Sequence, residues 1–505
     1  MPHDDRHEAT RWAPAEADDA LDDALDDGTR RWSHAELRSA AQAFAALLAA
    51  RGVRRLATLV DNSPAWVIAD LGAAWANVVH VPLPAFFTAG QIAHALQAAG
   101  VDAVLAEPAA PWTAPEPERC MVGGRALVLV RVAAATVALP PGTAKITFTS
   151  GTTGAPKGVC LDAPAMGRVA DGLVRALAPL AIERHLCALP FALLLENVAG
   201  LMTPLAQGAV CITLPLARLG LEGSSRFDPA RLHAAVLQHR PESLIVLPQM
   251  LRAWAAWLAT TRQRAPASLK LVAVGGAPVG ARLVGAARAV GLPACEGYGL
   301  SEGASVQTLN LPGADRPGSV GRPLPHAQLR VADDGELLVA GSLFVGYLGD
   351  AAPPPRWWPT GDLGRIDADG FVHVHGRKTN VLITAYGRNV SPEWVETALC
   401  GEAAIAQAAV FGDGLPALAA VLWPVRAELP DAALQVAVDA ANATLPDYAR
   451  VGRWVRARGE FTAASGLATP NGRPQRRAIL QRHADVLGIA DTGPTRRDET
   501  PTATH

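Results

Sequence analysis

The chain has 505 residues, half of them hydrophobic and 18% charged, with a formal net charge of −2; that length corresponds to about three domains of ordinary size. This balance excludes a general nucleic-acid binder, which needs a basic excess or a basic face. No apolar run reaches the ~18 residues of a membrane span, and even ALVLVRVAAATVAL is broken by Arg131.

The N-terminus is polar and acidic, with no visible signal peptide. Residues 18–27, DDALDDALDD, extend it, and a flexible lead-in is expected over residues 1–28. In WSHAEL, Ser33 and Glu36 form a capping box for a helix carrying Leu37, Ala40, Ala41, Phe44, Leu47 and Leu48, which Gly52 stops. LATLV reads as a strand and Trp66–Trp75 as a helix. Further strands fall at 146–149, 209–213, 244–247 and 269–274. This strand–helix alternation predicts an α/β fold with doubly wound sheets.

From about residue 320 the texture changes. LRVADDGELLV and GRIDADGFVHV are two hairpin signals with Asp-Gly turns, predicting a β-barrel-like subdomain. After GRKTN a small α+β domain is expected, with strands VLIT, 408–411 and ALAAVLW and helices near 392–399 and 431–444. The expected division is a main domain over 29–376, a C-terminal domain over 377–485 and a disordered tail over 486–505. Arg473, Arg476 and Arg477 read as a solvated helix face. The six cysteines lack CxxC spacing and are expected as reduced thiols in a cytoplasmic protein.

Five short segments carry candidate chemistry. In ITFTSGTTGAPKGV a strand ending at Thr149 runs into Ser150, Gly151, Thr152, Thr153 and Gly154, then Lys157. Lys157 follows Pro156 and precedes Gly158, unlike the lysine of a P-loop. The stretch fits an anion-binding nest with added hydroxyls and a point charge, or an ordinary glycine-rich turn. Gly275, Gly276, Ala277 and Pro278 end a strand, where two glycines admit a flat ring or simply make a turn. In EGYGLSEG, Glu296, Gly297, Tyr298, Gly299, Ser301 and Glu302 combine a stacking ring, a hydroxyl and a carboxylate fit for Mg2+; a solvated Glu is the alternative. Asp362 in PTGDLG suits a ribose diol or an Asx-turn. Arg377 suits a ribose or phosphate contact, or a surface linker.

Taken in order, these segments resemble the acyl-adenylate-forming (AMP-binding) superfamily, over roughly residues 30 to 480, and most of all acyl-CoA synthetases of the long-chain fatty acid type. The resemblance implies ATP-dependent activation of a carboxylic acid to acyl-AMP, then transfer to a thiol of CoA or of an acyl carrier protein. It implies that Thr149–Gly154 and Lys157 clamp the ATP phosphates, and that Gly275–Pro278 and Glu296–Gly299 line the adenine. Ser301 and Glu302 then match the pair near the α-phosphate and Mg2+, with Thr152 as a second metal contact. Asp362 and Arg377 match the ribose contacts, Thr379 the hinge of a rotating C-terminal domain, and Gly387 the pantetheine tunnel. Readings with an aryl or β-hydroxy acid, or with a nucleotide-binding non-catalytic homologue, remain alternatives.

Two departures stand out. No lysine follows Lys378, and in GLATPNGRPQRR Arg473 occupies the position of the family's late catalytic lysine. In LPFALLLENVAG, Leu193 stands where an aromatic or His often gates the carboxylate. Leu193 and Leu194 read either as the wall of an aliphatic acyl pocket or as plain core.

Overall fold

The computed structural model describes residues 22–108, 117–149, 157–222, 226–350, 352–385, 388–469 and 472–487. The chain divides into two compact units between Thr379 and Asn380. In the first unit the alternating elements build two large mixed sheets, each with parallel strands at its centre and antiparallel pairs toward its edges. The eight-stranded sheet runs, in spatial order, Gly346–Tyr347, Lys157–Leu161, Lys145–Thr149, Val79–Pro82, Arg55–Leu59, Ala103–Ala106, Arg125–Arg131 and Glu118–Val122. The nine-stranded sheet centres on the parallel strands Ala294–Leu300, Leu271–Val274, Ser243–Val246, Arg184–Leu186 and Val210–Ile212.

Local signals explain the elements that matter most. The capping box forms as expected: Glu36 N–H donates to Ser33 Oγ at 3.2 Å and Ser33 N–H donates to Glu36 Oε2 at 2.9 Å. It starts the helix His34–Ala50, whose Leu37, Ala41, Phe44 and Leu48 are buried. Both Asp-Gly hairpins also form, with Gly335 at φ +84° and Gly370 at φ +82°, where a side chain would be strained. Their strands make a four-stranded antiparallel sheet in the order Gln328–Val331, Glu336–Ala340, Trp358–Ile366, Val372–Arg377.

Two expectations need correction. The acidic lead-in ends earlier than residue 28, because Asp23–Asp26 is a strand beside Val210–Ile212 and Arg31–Ser33. Ala24 and Leu25 are fully buried, and Asp26 holds Arg184 at 3.0 Å, so these carboxylates have partners rather than solvent. The arginines near 476 are not a uniformly solvated face. Arg476 is only 21% exposed and bridges Glu393 at 3.1 Å and Glu396 at 2.5 Å.

The second unit is α+β. A three-stranded sheet, Ile405–Phe411, Leu418–Pro424 and Val451–Arg456, has an antiparallel and a parallel pair. The helices Pro392–Cys400 and Asp431–Asn442 bury Val395, Leu399, Leu434 and Val438 in one core with Val410 and Leu422. The helix Arg476–Leu487 buries Ile479 and Leu487 in another, with Ala409, Val421 and Phe461. No helix among the described residues is long and apolar enough to cross a membrane.

Candidate functional site

The spacing of Met166, Val169, Ala170, Leu173, Val174 and Leu177 predicts an amphipathic helix after the phosphate segment, but a strand, Lys157–Leu161, comes before it. Lys145–Thr149 pairs antiparallel with Lys157–Leu161, and Thr149 sits opposite Lys157. Ser150, Gly151, Thr152, Thr153 and Gly154 lie outside the described residues, as does Gly387. The amphipathic helix follows one strand later, as Ala163–Leu177, with Asp162 as its N-cap. The pairing sets Lys157 at the mouth of the loop, on an exposed strand end.

The glycine-rich segments come together through their backbones. Strands Leu271–Val274 and Ala294–Leu300 are parallel neighbours, with Val274 opposite Glu296. A Cβ on Gly275 would stand 2.9 Å from the Gly297 carbonyl oxygen, and Gly276 has φ +81°. Glu296 is 7% exposed, and its Oε1 accepts the Val279 N–H at 3.2 Å. Burial pushes its carboxyl up to about 7, against the pull of the Val279 and Gly280 N–H groups. Glu296 therefore fixes the turn that follows Gly275–Pro278.

Tyr298, Asp362 and Arg377 form one chain of contacts. Tyr298 donates to Asp362 Oδ2 at 2.7 Å, and Arg377 Nε meets Asp362 Oδ1 at 2.8 Å. The antiparallel register explains the second contact, since Asp362 lies directly opposite Arg377. Arg377 also donates to the Thr360 carbonyl at 3.1 Å. Burial, and then the Asp362 charge, push the Tyr298 phenol well above its ordinary value. The sequence brought out all three residues, but not this bonding among them.

Next to that chain, Ser301 opens a short 3-10 turn, Ser301–Gly303. Glu302 Oε1 accepts from the Tyr347 hydroxyl at 2.7 Å, and Lys157 Nζ lies 5.6 Å from the Tyr347 ring centre. Tyr347 thus links the lysine of the hairpin loop to the carboxylate of EGYGLSEG. Its ring stands edge-on to Phe344 at 5.0 Å and to Trp358 at 5.9 Å, which fixes it. Sequence reasoning missed Tyr347. The one local signal, an aromatic between glycines in FVGYLGD, is too common to single it out. An unchelated carboxylate oxygen such as Glu302's is a hard ligand of the kind Mg2+ takes.

The segment after LPF carries two faces. Glu196–Met202 is a π-helix, and Thr203 donates back to the Val198 carbonyl at 2.9 Å. Leu194 is 8% exposed and packs into the core under Ala163–Leu177, so it is a core residue. Leu193 is half-buried. Leu195, Ala199 and Ala273 are also half-buried and each packs against two hydrophobic clusters. The i, i+4 spacing of Leu195 and Ala199 was the available signal for this second pair.

Beneath this helix lies a fully buried polar network. Asp70 Oδ1 meets His80 Nδ1 at 2.5 Å and Lys145 Nζ at 2.8 Å, and Thr58 Oγ1 meets His80 Nε2 at 2.9 Å. Asn197 joins through Asp70 Oδ2 at 3.1 Å and through Lys145 Nζ. Burial alone would raise the Asp70 carboxyl, but Lys145 and His80 together hold it well below the usual range. This Thr–His–Asp arrangement is out of reach of any substrate, because every member is at most 5% exposed. It ties the strand leading into the hairpin loop to the π-helix.

In the second unit, Arg473 is exposed and lies in a tight turn: its N–H donates to Thr469 Oγ1 at 3.1 Å, and its carbonyl accepts from Thr469 N–H at 2.8 Å. Arg476, three residues on, is held by two carboxylates. Lys378, the last lysine of the chain, is held by Asp334 at 2.5 Å and Glu336 at 2.9 Å. Thr379 lies in the 3-10 turn Lys378–Asn380, at the boundary between the units.

Residues 10–348 match the AMP-binding enzyme family, and residues 379–488 match the AMP-binding enzyme C-terminal domain. The chain belongs to the AMP-binding enzyme family. Among named members, it is 34% identical over 242 residues to a long-chain-fatty-acid–CoA ligase of Mycobacterium bovis, a match covering 42% of this chain and 40% of that protein. The chain thus spans well under two thirds of the length of that relative. It is 31% identical to a 3-[(3aS,4S,7aS)-7a-methyl-1,5-dioxo-octahydro-1H-inden-4-yl]propanoyl:CoA ligase of Mycobacterium tuberculosis, over 76% of this chain and 81% of that one. The fold is that of the ATP-bound MatB protein of Rhodopseudomonas palustris, with a TM-score of 0.77 at 22% identity, covering 95% of this chain and 99% of that one. The two family regions of this AMP-binding enzyme fall on the two compact units.

Proposed function

We propose that this AMP-binding enzyme joins a carboxylic acid to ATP, releasing pyrophosphate and forming acyl-AMP, and then passes the acyl group to the thiol of CoA. The observation that carries this reading is the joining of distant segments into two adjacent polar chains, Tyr298–Asp362–Arg377 and Lys157–Tyr347–Glu302. The first has a carboxylate and a guanidinium side by side, which suits a ribose diol. The second has a cation and a hard carboxylate oxygen on either side of one phenol, which suits phosphate oxygens and Mg2+. A carboxylate attacking a polyphosphate meets like charge, so positioning and charge neutralisation dominate the rate. The residues here supply both, and no nucleophilic side chain is needed. Glu302, with Thr152 from the hairpin loop, would hold Mg2+, which neutralises phosphate charge when bound. Both named relatives are CoA ligases of carboxylic acids, which supports the acceptor.

The acid itself is proposed to be apolar. Leu193, Leu195, Ala199 and Ala273 give a half-buried aliphatic wall with no polar atom in its side chains. Such a wall favours a fatty acyl group over an acid with a polar ring substituent, because an unpaired polar group would be desolvated there. Arg473 is proposed as the cation of the first step, in place of a lysine. Acid-dependent exchange of pyrophosphate into ATP, measured across aliphatic and aromatic acids and followed by CoA thioester detection, tests the reading. Absence of exchange with every acid tested, despite ATP binding, would instead support a nucleotide-binding homologue that lacks the first step.

A further inference from the structure

At the start of the π-helix, three side chains of metal-ligating type converge. His185, Cys187 and Glu196 each present one ligand atom, and these lie within 4.8 Å of one another, all fully inside the protein. They come from two elements. His185 and Cys187, two residues apart on and just after the strand Arg184–Leu186, point to one face of the sheet. Glu196 opens the π-helix above that face.

The surroundings of these groups point to a ligand. Neither Glu196 oxygen nor His185 Nε2 makes a hydrogen bond of good geometry; the Leu189 and Ala188 N–H groups act on the Glu196 carboxylate from nearby, and Cys187 Sγ donates to the Gly200 carbonyl at 3.3 Å. Glu196 is 0% exposed and His185 4%. Buried polar groups left in this way are costly, and more so when charged. His185 Nδ1 meets Ser243 Oγ at 2.8 Å. When Nδ1 carries the proton toward that hydroxyl, the Nε2 lone pair is directed at the cluster, as outer partners of metal-bound histidines do. The carboxyl is accommodated by a missing side chain: a Cβ on Gly200 would stand 2.7 Å from Glu196 Cδ and 2.8 Å from Oε2.

We propose that His185, Cys187 and Glu196 bind a zinc-class divalent cation in the core of the first unit. The donor set of one imidazole, one thiolate and one carboxylate is the borderline set that zinc takes and Mg2+ does not. Thiolate and carboxylate together cancel the charge of the dication, so the loaded site is neutral in a low-dielectric interior. Bond lengths of about 2.0–2.3 Å put tetrahedral ligand atoms roughly 3.5 Å apart. The three groups therefore close by about an ångström on the ion, and water takes the fourth position. The site is separate from the nucleotide residues and does not depend on the proposed reaction. Its role is to pin the π-helix, and with it the apolar wall, to the sheet.

The test uses the full-length protein. Elemental analysis after extensive dialysis against metal-free buffer is expected to return about one zinc per chain. Growth with cobalt in place of zinc is expected to give a near-ultraviolet thiolate-to-cobalt absorption band. That band is expected to vanish in Cys187→Ser, with the fold checked by circular dichroism. Folded wild-type protein holding less than about one tenth of an equivalent of zinc or cobalt after either preparation overturns the proposal. Since that outcome needs no variant, misfolding of a mutant cannot hide it. A cobalt band that persists in a folded Cys187→Ser would overturn it too.

Discussion

Arg473 concentrates the question of how the proposed adenylation step would be completed. The sequence ends its lysines at 378, and Lys378 is tied to Asp334 and Glu336. Arg476 is tied to Glu393 and Glu396, and Arg473 is exposed in the turn before it. A guanidinium spreads its charge over a plane, whereas a lysine delivers it at a point. Replacing Arg473 with Ala is expected to lower acid-dependent pyrophosphate exchange by about 10- to 100-fold. Thioester formation from preformed acyl-AMP should change by no more than about twofold, and Arg473→Lys should preserve both steps. Equal losses in the two half-reactions would remove Arg473 from the first step. Glu296 makes a different prediction, about pH. Its folded value of about 7 lies above the ordinary 4.5, so the folded state holds the proton more tightly than the unfolded state. Stability from this group is full below about pH 4.5 and is lost as pH rises through 7. The shift of 7 − 4.5 corresponds to about 3 kcal/mol. Urea unfolding of Glu296→Gln between pH 4 and 8 should show a correspondingly flatter pH dependence than wild type. An unchanged slope would mean that Glu296 does not titrate in this window.

Elements, more than single residues, show where sequence reasoning reached its limit. The capping box, the Asp-Gly hairpins and the parallel strands were legible because their signals are local and periodic. The strand Lys157–Leu161 was not, because KGVCL joins a glycine to an apolar run that also fits a turn leading to the next helix. Asp23–Asp26 was hidden by its acidic composition, whose partner Arg184 is 158 residues away. The network around Asp70 was invisible for the same reason, since Lys145 is 75 residues from Asp70 and Asn197 is 127. That network makes a stability prediction. Lys145→Met leaves Asp70 buried without its cation and should cost about 3–5 kcal/mol. Adding Asp70→Asn should recover part of that loss, because the uncompensated charge goes with it. Denaturant midpoints of the two single variants and the double variant check this. Strict additivity would show that the pair is not coupled. Gly299 offers a second test within one element. A Cβ there would lie 2.1 Å from the Ser305 carbonyl oxygen, which is backbone and cannot swing away. Gly299→Ala is expected to lower the melting temperature by several degrees and to raise the KM for ATP, since Tyr298 is its neighbour. A variant with wild-type melting and KM would mean that the backbone at Ser305 shifts freely.

At the scale of the whole molecule, the expected start of the C-terminal domain is residue 377, and the chain divides into compact units between Thr379 and Asn380. That division has a physical basis. Each unit encloses its own hydrophobic clusters, with Val395, Leu422 and Val438 in the second and Leu186, Val246 and Trp254 in the first. The sequence at the junction, GRKTN, offers no apolar side chain to either. The residues proposed for the nucleotide lie in the first unit, and Arg473 lies in the second. Thr379 lies in a 3-10 turn whose end residue Asn380 begins the second unit, and it is proposed as a hinge. Proline at 379 fixes φ near −65° and removes a backbone donor. Thr379→Pro is therefore expected to slow thioester formation from preformed acyl-AMP by about tenfold or more. Pyrophosphate exchange should fall by much less, because the proposed hinge acts between the two steps. Single-turnover measurements of the two half-reactions separate these effects. A variant that loses both in equal measure, with an unchanged melting temperature, would argue against a hinge at Thr379. Selective loss of the second step would locate the conformational exchange at the one junction where neither core reaches.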